Sequence, residues 1–549
     1  MNKYLLLIIY HLSLIAFSSA QNPFVKQWDY RYGGTSKDVL TCLRQTADGG
    51  YILGGYSYSD SSGDKTQMSW GNADYWIVKT DSPGNIQWDR RYGGTSSDYL
   101  YSLQQTADGG YILGGYSSSG ISGDKTQACW GGNSDDYWIV KIDSLGNKQW
   151  DKDFGGILSD ELYSVQQTAD GGYMLGGLSG SPISGDKTQP FWGGSDYWIL
   201  KTDSLGNKQW DKDLGGTFND RLFSLQQTTD GGYILGGYSF SGISGDKTEP
   251  NWSLSGTTAD YWIIKIDSLG TKLWDKDFGG TNEDHLYSLQ QTSDGGFILG
   301  GYSKSGDGNN TQGSWGQEDY WILKTDSLGN KQWDKDFGGT AHEDDFGNVT
   351  QTTDGGYLLA GTSYSDTIIG NKTENNLGGE QTWIVKTDSL GNFQWDKTIF
   401  TIGHDETGLA IQTNDGCIAV ANNTYGGIGG YKTQPNWDTT NITEDYWIVK
   451  FCDSTLTTSN PTQSALGGEG VAVYPNPAGE SLVISDKGTG KKEIEIYDVL
   501  GRTVLKSEVR SRKSVTKDSF GETTINISSL SPGIYFLKAG NEVRKFVKE

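Results

Sequence analysis

Helical periodicity is the first thing this sequence lacks. No segment of its 549 residues repeats apolar side chains every 3.6 positions over a useful length. Proline is scarce at 10 residues, so collagen-like and Pro-rich low-complexity architectures are excluded. Only four cysteines occur, Cys42, Cys129, Cys417 and Cys452, and they share no metal-ligand spacing. Cys417 and Cys452 could meet inside one structural unit, but nothing in their spacing requires it. Basic residues are also short. Lys plus Arg number 44 against 68 Asp plus Glu, a net charge of −24. Phosphates would be repelled, so neither nucleic acid nor an anionic membrane is an expected partner. Past residue 20 no apolar run is long enough to span a bilayer, and no membrane insertion is expected.

Glycine is abundant instead, at 79, beside 20 Trp and 31 Tyr. Much glycine with much aromatic points to many short strands joined by tight turns. Residues 1–20, MNKYLLLIIYHLSLIAFSSA, read as a signal peptide. Lys3 supplies the positive start, Leu5 to Ile9 open the apolar region, and Ser18 and Ala20 are the small residues before cleavage. No Cys follows that point, so a lipid anchor is not expected.

The chain repeats itself seven times. One series is Trp28, Trp88, Trp150, Trp210, Trp274, Trp333 and Trp395. A second is the DG-turn acid: Asp48, Asp108, Asp170, Asp230, Asp294, Asp354 and Asp415. A third is the Trp of DYW-I: Trp76, Trp138, Trp198, Trp262, Trp321, Trp383 and Trp447. Each steps by 59 to 64 residues. Each unit reads as four strands. In the second, LYSLQQT turns at ADGG, YILGGYS returns and ends in a Gly pair, and a long polar loop follows. DYWIVKID then turns at SLGN into KQWDKDFGG. The chain opens on a lone fourth strand, FVKQWDYRYGG, and the last unit stops after its third, DYWIVKFCDS. Pairing the two completes a seventh blade and leaves no open edge.

The expected fold is all-β: a seven-bladed β-propeller of four-stranded blades over residues 21–453, closed by its N- and C-terminal strands. The order of features resembles kelch-type propellers. The longer unit resembles still more the roughly sixty-residue repeats of secreted bacterial proteins. This resemblance implies fold rather than function.

Residues 454–470 read as a polar linker. Residues 471–549 carry 13 Lys plus Arg and 10 Asp plus Glu, a net of +3 that leaves −27 for the rest. The motifs VAVYPNPAGESLVI, IEIYDVLGRTV, INISSLSPGIYFLK and RKFVKE follow in order. Together they resemble the type A C-terminal sorting domain of the type IX secretion system of Bacteroidetes. The positions that carry it are Tyr474, Pro475, Asn476, Pro477, Gly501, Arg502, Pro532, Gly533 and Tyr535. The resemblance implies a small Ig-like β-sandwich, the type IX machinery as partner, export across the outer membrane, and removal of the tail. Released or surface-attached protein would follow.

A phosphate loop is excluded, because GGYILGG lacks the Lys-Ser/Thr that reaches phosphate and metal. A sialidase-type site is excluded too: TDSLGNKQW does not fit the Asp-box gaps, and arginines are few. DSLG recurs at 143, 203, 267, 326 and 388, a turn that also resembles the Bacteroidetes O-glycosylation motif.

Three residue sets remain as site candidates. Asp38, Asp98, Asp160, Asp220, Asp284, Asp344 and Asp405 each lie ten residues before a DG-turn Asp, near one mouth of the channel. Seven carboxylates there could hold calcium, the one cofactor considered. Capping of backbone amides is the favoured reading. His285, His342 and His404, with Glu283, Glu343 and Glu406 nearby, could form a metal or acid–base site, though their positions are not equivalent. Trp70, Trp130, Trp192, Trp252, Trp315 and Trp437 sit in the long loops and could stack on sugars. Five lie 22 residues after the turn Asp and Trp315 lies 21 after, a spacing that favours an anchor folding each loop onto its own blade. The expected protein is a monomeric, non-catalytic binding or adhesion module for a glycan or surface protein. A secreted glycan-active enzyme and a structural surface protein are the alternatives.

Overall fold

The computed structural model describes residues 24–453 except 133, 254–255, 342–345, 366–369, 377–378 and 441. It also describes 471–474, 481–486, 491–498, 502–510, 521–531, 533–539 and 542–548. The signal-peptide reading therefore lies outside the described residues, as do the linker 454–470 and Asp344, His342, Glu343, Pro475, Asn476, Pro477, Gly501 and Pro532.

No helix forms among the described residues. Seven four-stranded antiparallel sheets make the first unit. Blades 1 to 6 are continuous in sequence, over 38–92, 98–154, 160–214, 220–278, 284–337 and 346–399. Blade 7 takes three strands from 405–453 and its outermost strand from Phe24–Tyr32. That closing strand pairs antiparallel with Asp445–Asp453, from Phe24 opposite Asp453 to Tyr32 opposite Tyr446. The innermost strands touch their neighbours all the way round, including Asp38–Gln45 against Asp405–Gln412, so the sheets form a closed ring.

The turn chemistry explains the hairpins. In blade 2, Gly109 takes φ 82° and its N–H donates to the Thr106 carbonyl. Asp108 accepts from the Thr106 hydroxyl at 2.5 Å and the Gly110 N–H at 3.0 Å. It also pairs with Lys141 at 2.9 Å, a bond that all seven DG turns repeat with the equivalent Lys. The second Gly pair does not end its strand, contrary to expectation. The strand Tyr111–Ser117 runs past it. A Cβ at Gly114 would lie 2.8 Å from Val165 and 2.9 Å from Leu162 of the next blade. Glycine there lets two blades approach.

The core lies at the seams between blades. Leu100, Leu103, Trp138 and Val140 of blade 2 pack with Cys42, Ile52, Tyr75 and Ile77 of blade 1. The seven DYW-I tryptophans are the largest fully buried side chains. The outer-strand tryptophans, Trp28 to Trp395, are only partly buried. Trp88 and Trp150 lie edge-on against Tyr111 and Tyr173 of the next blade. Polar links cross the same seams. Tyr75, Tyr137, Tyr197 and Tyr261 each donate to the carbonyl of the following blade's DYW-I Trp, and Tyr446 closes the set on Trp76. At the opposite face a ring of glutamines, from Gln105 through Gln412 to Gln45, accepts the DG-turn N–H of the preceding blade.

Cys417 and Cys452 form a disulfide, a pairing that the spacing had left open. It joins the second and third strands of blade 7 across a separation of 35 residues. For a loop of that size, reduction is expected to cost about 3–4 kcal/mol. The midpoint of urea unfolding with and without reductant measures it. An unchanged midpoint would contradict a structural role. Cys42 and Cys129 are free and buried.

The second compact unit spans 459–549. It holds one sheet of Val471–Tyr474, Ser481–Asp486 and Gly521–Asn526. A second sheet joins Thr503–Arg510, Lys491–Asp498, Gly533–Ala539 and Glu542–Lys548. Tyr474 and Gly533 lie in strands, Arg502 is exposed, and the Tyr535 hydroxyl donates to the Ser531 carbonyl at 2.8 Å.

Candidate functional site

The strand order puts the long loops and the connections into each innermost strand on one face of the ring. All three candidate sets belong to that face, but the structure does not bring them together as one site.

The Asp series is buried between blades, not displayed at the channel mouth. Asp38, Asp98, Asp160, Asp220, Asp284 and Asp405 are all fully enclosed. Asp98 accepts from the Gly94 N–H at 2.7 Å and the Ser119 hydroxyl at 3.1 Å, and four equivalents do the same. Asp405 accepts from Thr401 instead. These are loop caps; six separated carboxylates behind protein walls make no open cation ring.

A second acid series was missed in the sequence. Asp74, Asp136, Asp196, Asp260, Asp319 and Asp445 open the third strands, and each accepts the N–H of its own loop Trp, from Trp70 to Trp437. In blades 2 to 4 a further buried Asp stands beside it: Asp153, Asp213 and Asp277, paired to Lys125, Lys187 and Lys247. Burial first, then the neighbouring carboxylate, pushes Asp136, Asp196 and Asp260 up to about 9. A carboxyl whose folded value lies above its unfolded one stabilises the fold at low pH and loses that contribution as pH rises through the folded value. The slope reaches at most about 1.4 kcal/mol per pH unit per group. The DG-turn acids act oppositely. Burial raises Asp108 and Asp170, but hydrogen bonds from Thr106 and Thr168, and from Lys141 and Lys201, outweigh it and hold both at about 2. Their contribution is lost only as pH falls towards 2. Stability is therefore expected to rise from pH 9 to about pH 5 and to fall below pH 4. Thermal unfolding across that range tests it; a flat profile between 5 and 9 would refute the shared-proton seams.

The loop tryptophans are half exposed: Trp130 and Trp192 at 54%, Trp437 at 41%. Each holds to its own blade through its N–H, and four of the rings also reach the next blade. Trp130 Nε1 donates to Asp186 at 2.8 Å, Trp192 to Asp246, Trp252 to Asn309, and Trp437 across the closure to Asp64. The next blade's turn glycine makes room. Gly185, at φ 58°, would put a Cβ 2.8 Å from the Trp130 ring. Arg91 lies over Trp70 and Arg31 over Trp437. Trp315 lies beside Gly370. One indole face is thus packed and the other open. A cleft of about 320 Å³ opens beside Trp130, lined also by Gln127, Lys152, Asp186 and Asn207.

The two described histidines, His285 and His404, do not converge. His285 stacks on Tyr238 at 3.9 Å and bonds Tyr302 at 2.7 Å; burial pushes it down to about 4, a neutral packed ring. His404, two blades away, faces Glu380 at 3.3 Å and Glu406 at 3.2 Å.

The feature that breaks the sevenfold repeat lies at the channel mouth. Tyr101, Tyr163, Phe223 and Tyr287 occupy one position of successive innermost strands, with ring centroids 4.7 to 5.0 Å apart. Tyr56, Tyr99, Tyr116, Tyr238 and Tyr302 extend this arc over blades 1 to 5. All four of its central rings are partly exposed. In blades 6 and 7 the position is Gly347 and Gly408, which meet so closely that a Cβ would collide with backbone. Polar groups rim the arc: Glu161 against Tyr163, Arg221 towards Tyr238, and Lys304 paired with Glu283 and Glu318.

Residues 472–549 match the secretion system C-terminal sorting domain. The sorting domain directs the protein by type IX secretion to the cell surface or extracellular space, with cleavage of the tail. A curated relative is the regulatory protein FlaEY of Caulobacter vibrioides, 30% identical over 164 residues; the match covers 29% of this chain and only 17% of that protein. Similar solved structures include the Pan2 WD40 domain of Neurospora crassa, at 10% identity, TM-score 0.42, and 78% and 95% coverage of the two chains. Another is a Dyadobacter fermentans protein of unknown function, at 12% identity, TM-score 0.38, and 78% and 99% coverage.

Proposed function

We propose that the exported propeller is a non-catalytic binding or adhesion module whose ligand seats at the loop-face mouth of the channel. The observation that carries this reading is the aromatic arc of blades 1 to 5, which blades 6 and 7 do not continue. Partly exposed rings beside Arg221, Glu161 and Lys304 suit a glycan, alone or on a surface protein: rings cover the sugar faces and polar tips bond the hydroxyls. The half-open indole of Trp130 and its equivalents offers a secondary platform on the same face. A glycan array probed with the full chain tests the reading. Binding should fall at least tenfold in Tyr101→Ala/Tyr163→Ala and survive in Trp130→Phe. No binding to any glycan would sink the glycan version, and equal loss in Trp130→Phe would move the site to the loops.

One observation favours a catalytic alternative. Burial, then the Glu406 charge, holds the Glu444 carboxyl up at about 7 despite Lys37 at 2.6 Å, and His404 stands beside Glu406. A carboxyl that holds its proton into the neutral range beside a second carboxyl could serve as general acid on a glycosidic bond. Hydrolysis of a bound glycan that Glu444→Gln abolishes would establish it.

A further inference from the structure

Each blade carries one residue at a fixed place in the turn that follows its second strand. It is Lys65, Lys125, Lys187, Lys247, Lys372 and Lys432 in six blades and Asn310 in blade 5. The six lysines are buried, at 1% or 2% exposure, and Asn310 is buried equally, at 3%. The correspondence is structural. Thr248 N–H, next to Lys247, donates to Asp275 at 2.9 Å, and Thr311 N–H, next to Asn310, donates to Asp334 at 2.7 Å. Lys187 Nζ donates to the Ser179 hydroxyl at 3.1 Å, and the Asn310 carboxamide donates to the equivalent Ser303 at 3.2 Å.

What these lysines face differs by blade in a consistent way. Blades 2, 3 and 4 place two aspartates near the ammonium, Asp136 with Asp153, Asp196 with Asp213 and Asp260 with Asp277, and the second of each pair binds it. Blades 1 and 7 replace the second acid by Arg91 and Arg31, and blade 6 replaces both by Gln381 and Thr398. In each of these six blades the acids come with a cation or are themselves absent. Blade 5 keeps both acids, Asp319 and Asp336, with Asp284 close by, and has lost the lysine. Asp336 is 5% exposed; among the described residues its carboxylate has no ion pair and no close hydrogen bond, and the Asn310 carboxamide is the polar group turned towards it. A buried carboxylate without a cation is costly in such surroundings, and a neighbouring carboxylate adds to the cost. The other blades meet that cost with an ammonium in the same space.

We propose that the blade 5 seam is a cation site, in which a hard cation such as Ca²⁺ binds the Asp336 and Asp319 carboxylates where six other blades hold a lysine ammonium. The donors at this position are oxygens, the two carboxylates and the nearby Ser314 hydroxyl that already bonds Asp319, and oxygen sets suit calcium. This site is distinct from a ring of the innermost-strand acids; it is one position in one blade.

The full chain is stripped with chelator, then re-equilibrated with CaCl₂ or with NaCl of equal ionic strength. Bound calcium and the unfolding midpoint are both read. The parent is expected to retain one Ca²⁺ per chain and to melt several degrees higher in CaCl₂ than in NaCl. Asn310→Lys is expected to retain none and to melt at the calcium-loaded parent's temperature in either salt. Asp336→Asn is expected to retain none, which keeps the test decisive if the lysine variant folds poorly. A parent that binds no calcium, or variants that keep the bound ion, would overturn the site and leave a protonated Asp336 as the answer.

Discussion

A chain that begins at Gly33 is expected not to form a closed propeller. It lacks the strand Phe24–Tyr32, so the edge of Asp445–Asp453 is bared and blade 7 keeps three strands. More than sheet pairing goes. Asp29 accepts from Trp447 Nε1 at 3.0 Å, the Thr433 N–H at 2.8 Å and the Thr433 hydroxyl at 2.7 Å. Arg31 pairs with Asp64 of blade 1 at 2.9 Å, and the Tyr32 hydroxyl donates to the Gly84 carbonyl at 2.5 Å. The loss is expected to exceed the whole stability of a typical domain, about 5–15 kcal/mol, so no cooperative unfolding transition should be seen by near-ultraviolet circular dichroism. The same geometry supplies the rescue. Phe24 stands opposite Asp453, as Lys208 stands opposite Thr202 across the five-residue turn 203–207 of blade 3. Moving Phe24–Tyr32 behind Asp453 through an Asp-Ser-Leu-Gly-Asn turn should restore cooperative unfolding. A truncated chain that melts like the parent would contradict closure by the terminal strand.

Replacing Trp138 by Ala should cost about 3–5 kcal/mol, near the top of the range for a single core change. Trp138 is fully buried, its ring lies 4.8 Å from that of Tyr75, and its Nε1 donates to Asp151 at 3.2 Å. The cavity would open at the seam between two blades. Asp151 keeps the Thr126 N–H and hydroxyl and Lys148, so the hydrogen bond is the smaller part. Trp138→Phe should therefore lose much less, about 1–2 kcal/mol, mainly the bond and the lost ring area. Urea unfolding of both variants separates the terms. A loss below 1 kcal/mol in Trp138→Ala would mean that the seams do not carry the stability.

The blade framework was readable because its signals recur at fixed intervals. Trp138, Asp108 and the split repeat at the two ends each have one structural meaning, and seven copies leave little room for another. Contacts between blades were not readable. Trp130 reaches Asp186, 56 residues on, which is nearly one whole repeat, so the spacing that suggested an anchor to its own loop fits the next blade equally well. The burial of Asp98 was hidden for another reason. The innermost strand carries a register shift between Leu100 and Ser102, and alternation cannot be followed through it. The aromatic arc was visible but masked by its own regularity. Tyr101, Tyr163, Phe223 and Tyr287 read as ordinary strand residues until Thr41, Gly347 and Gly408 at the same position are set beside them. Asn310 among six lysines is the same kind of signal: in a repeat protein, the departures mark where the copies have different work.

The closing strand also ties integrity to address. Residues 24–32 are made long before their partners, 445–453, which come shortly before the sorting domain at 472–549. A translation product that stops anywhere short of Asp445 lacks the partner strand and the tail together. No fragment of that kind can be a closed ring, and none carries the sorting domain. The ring can close only once the strand just ahead of the sorting domain has been made.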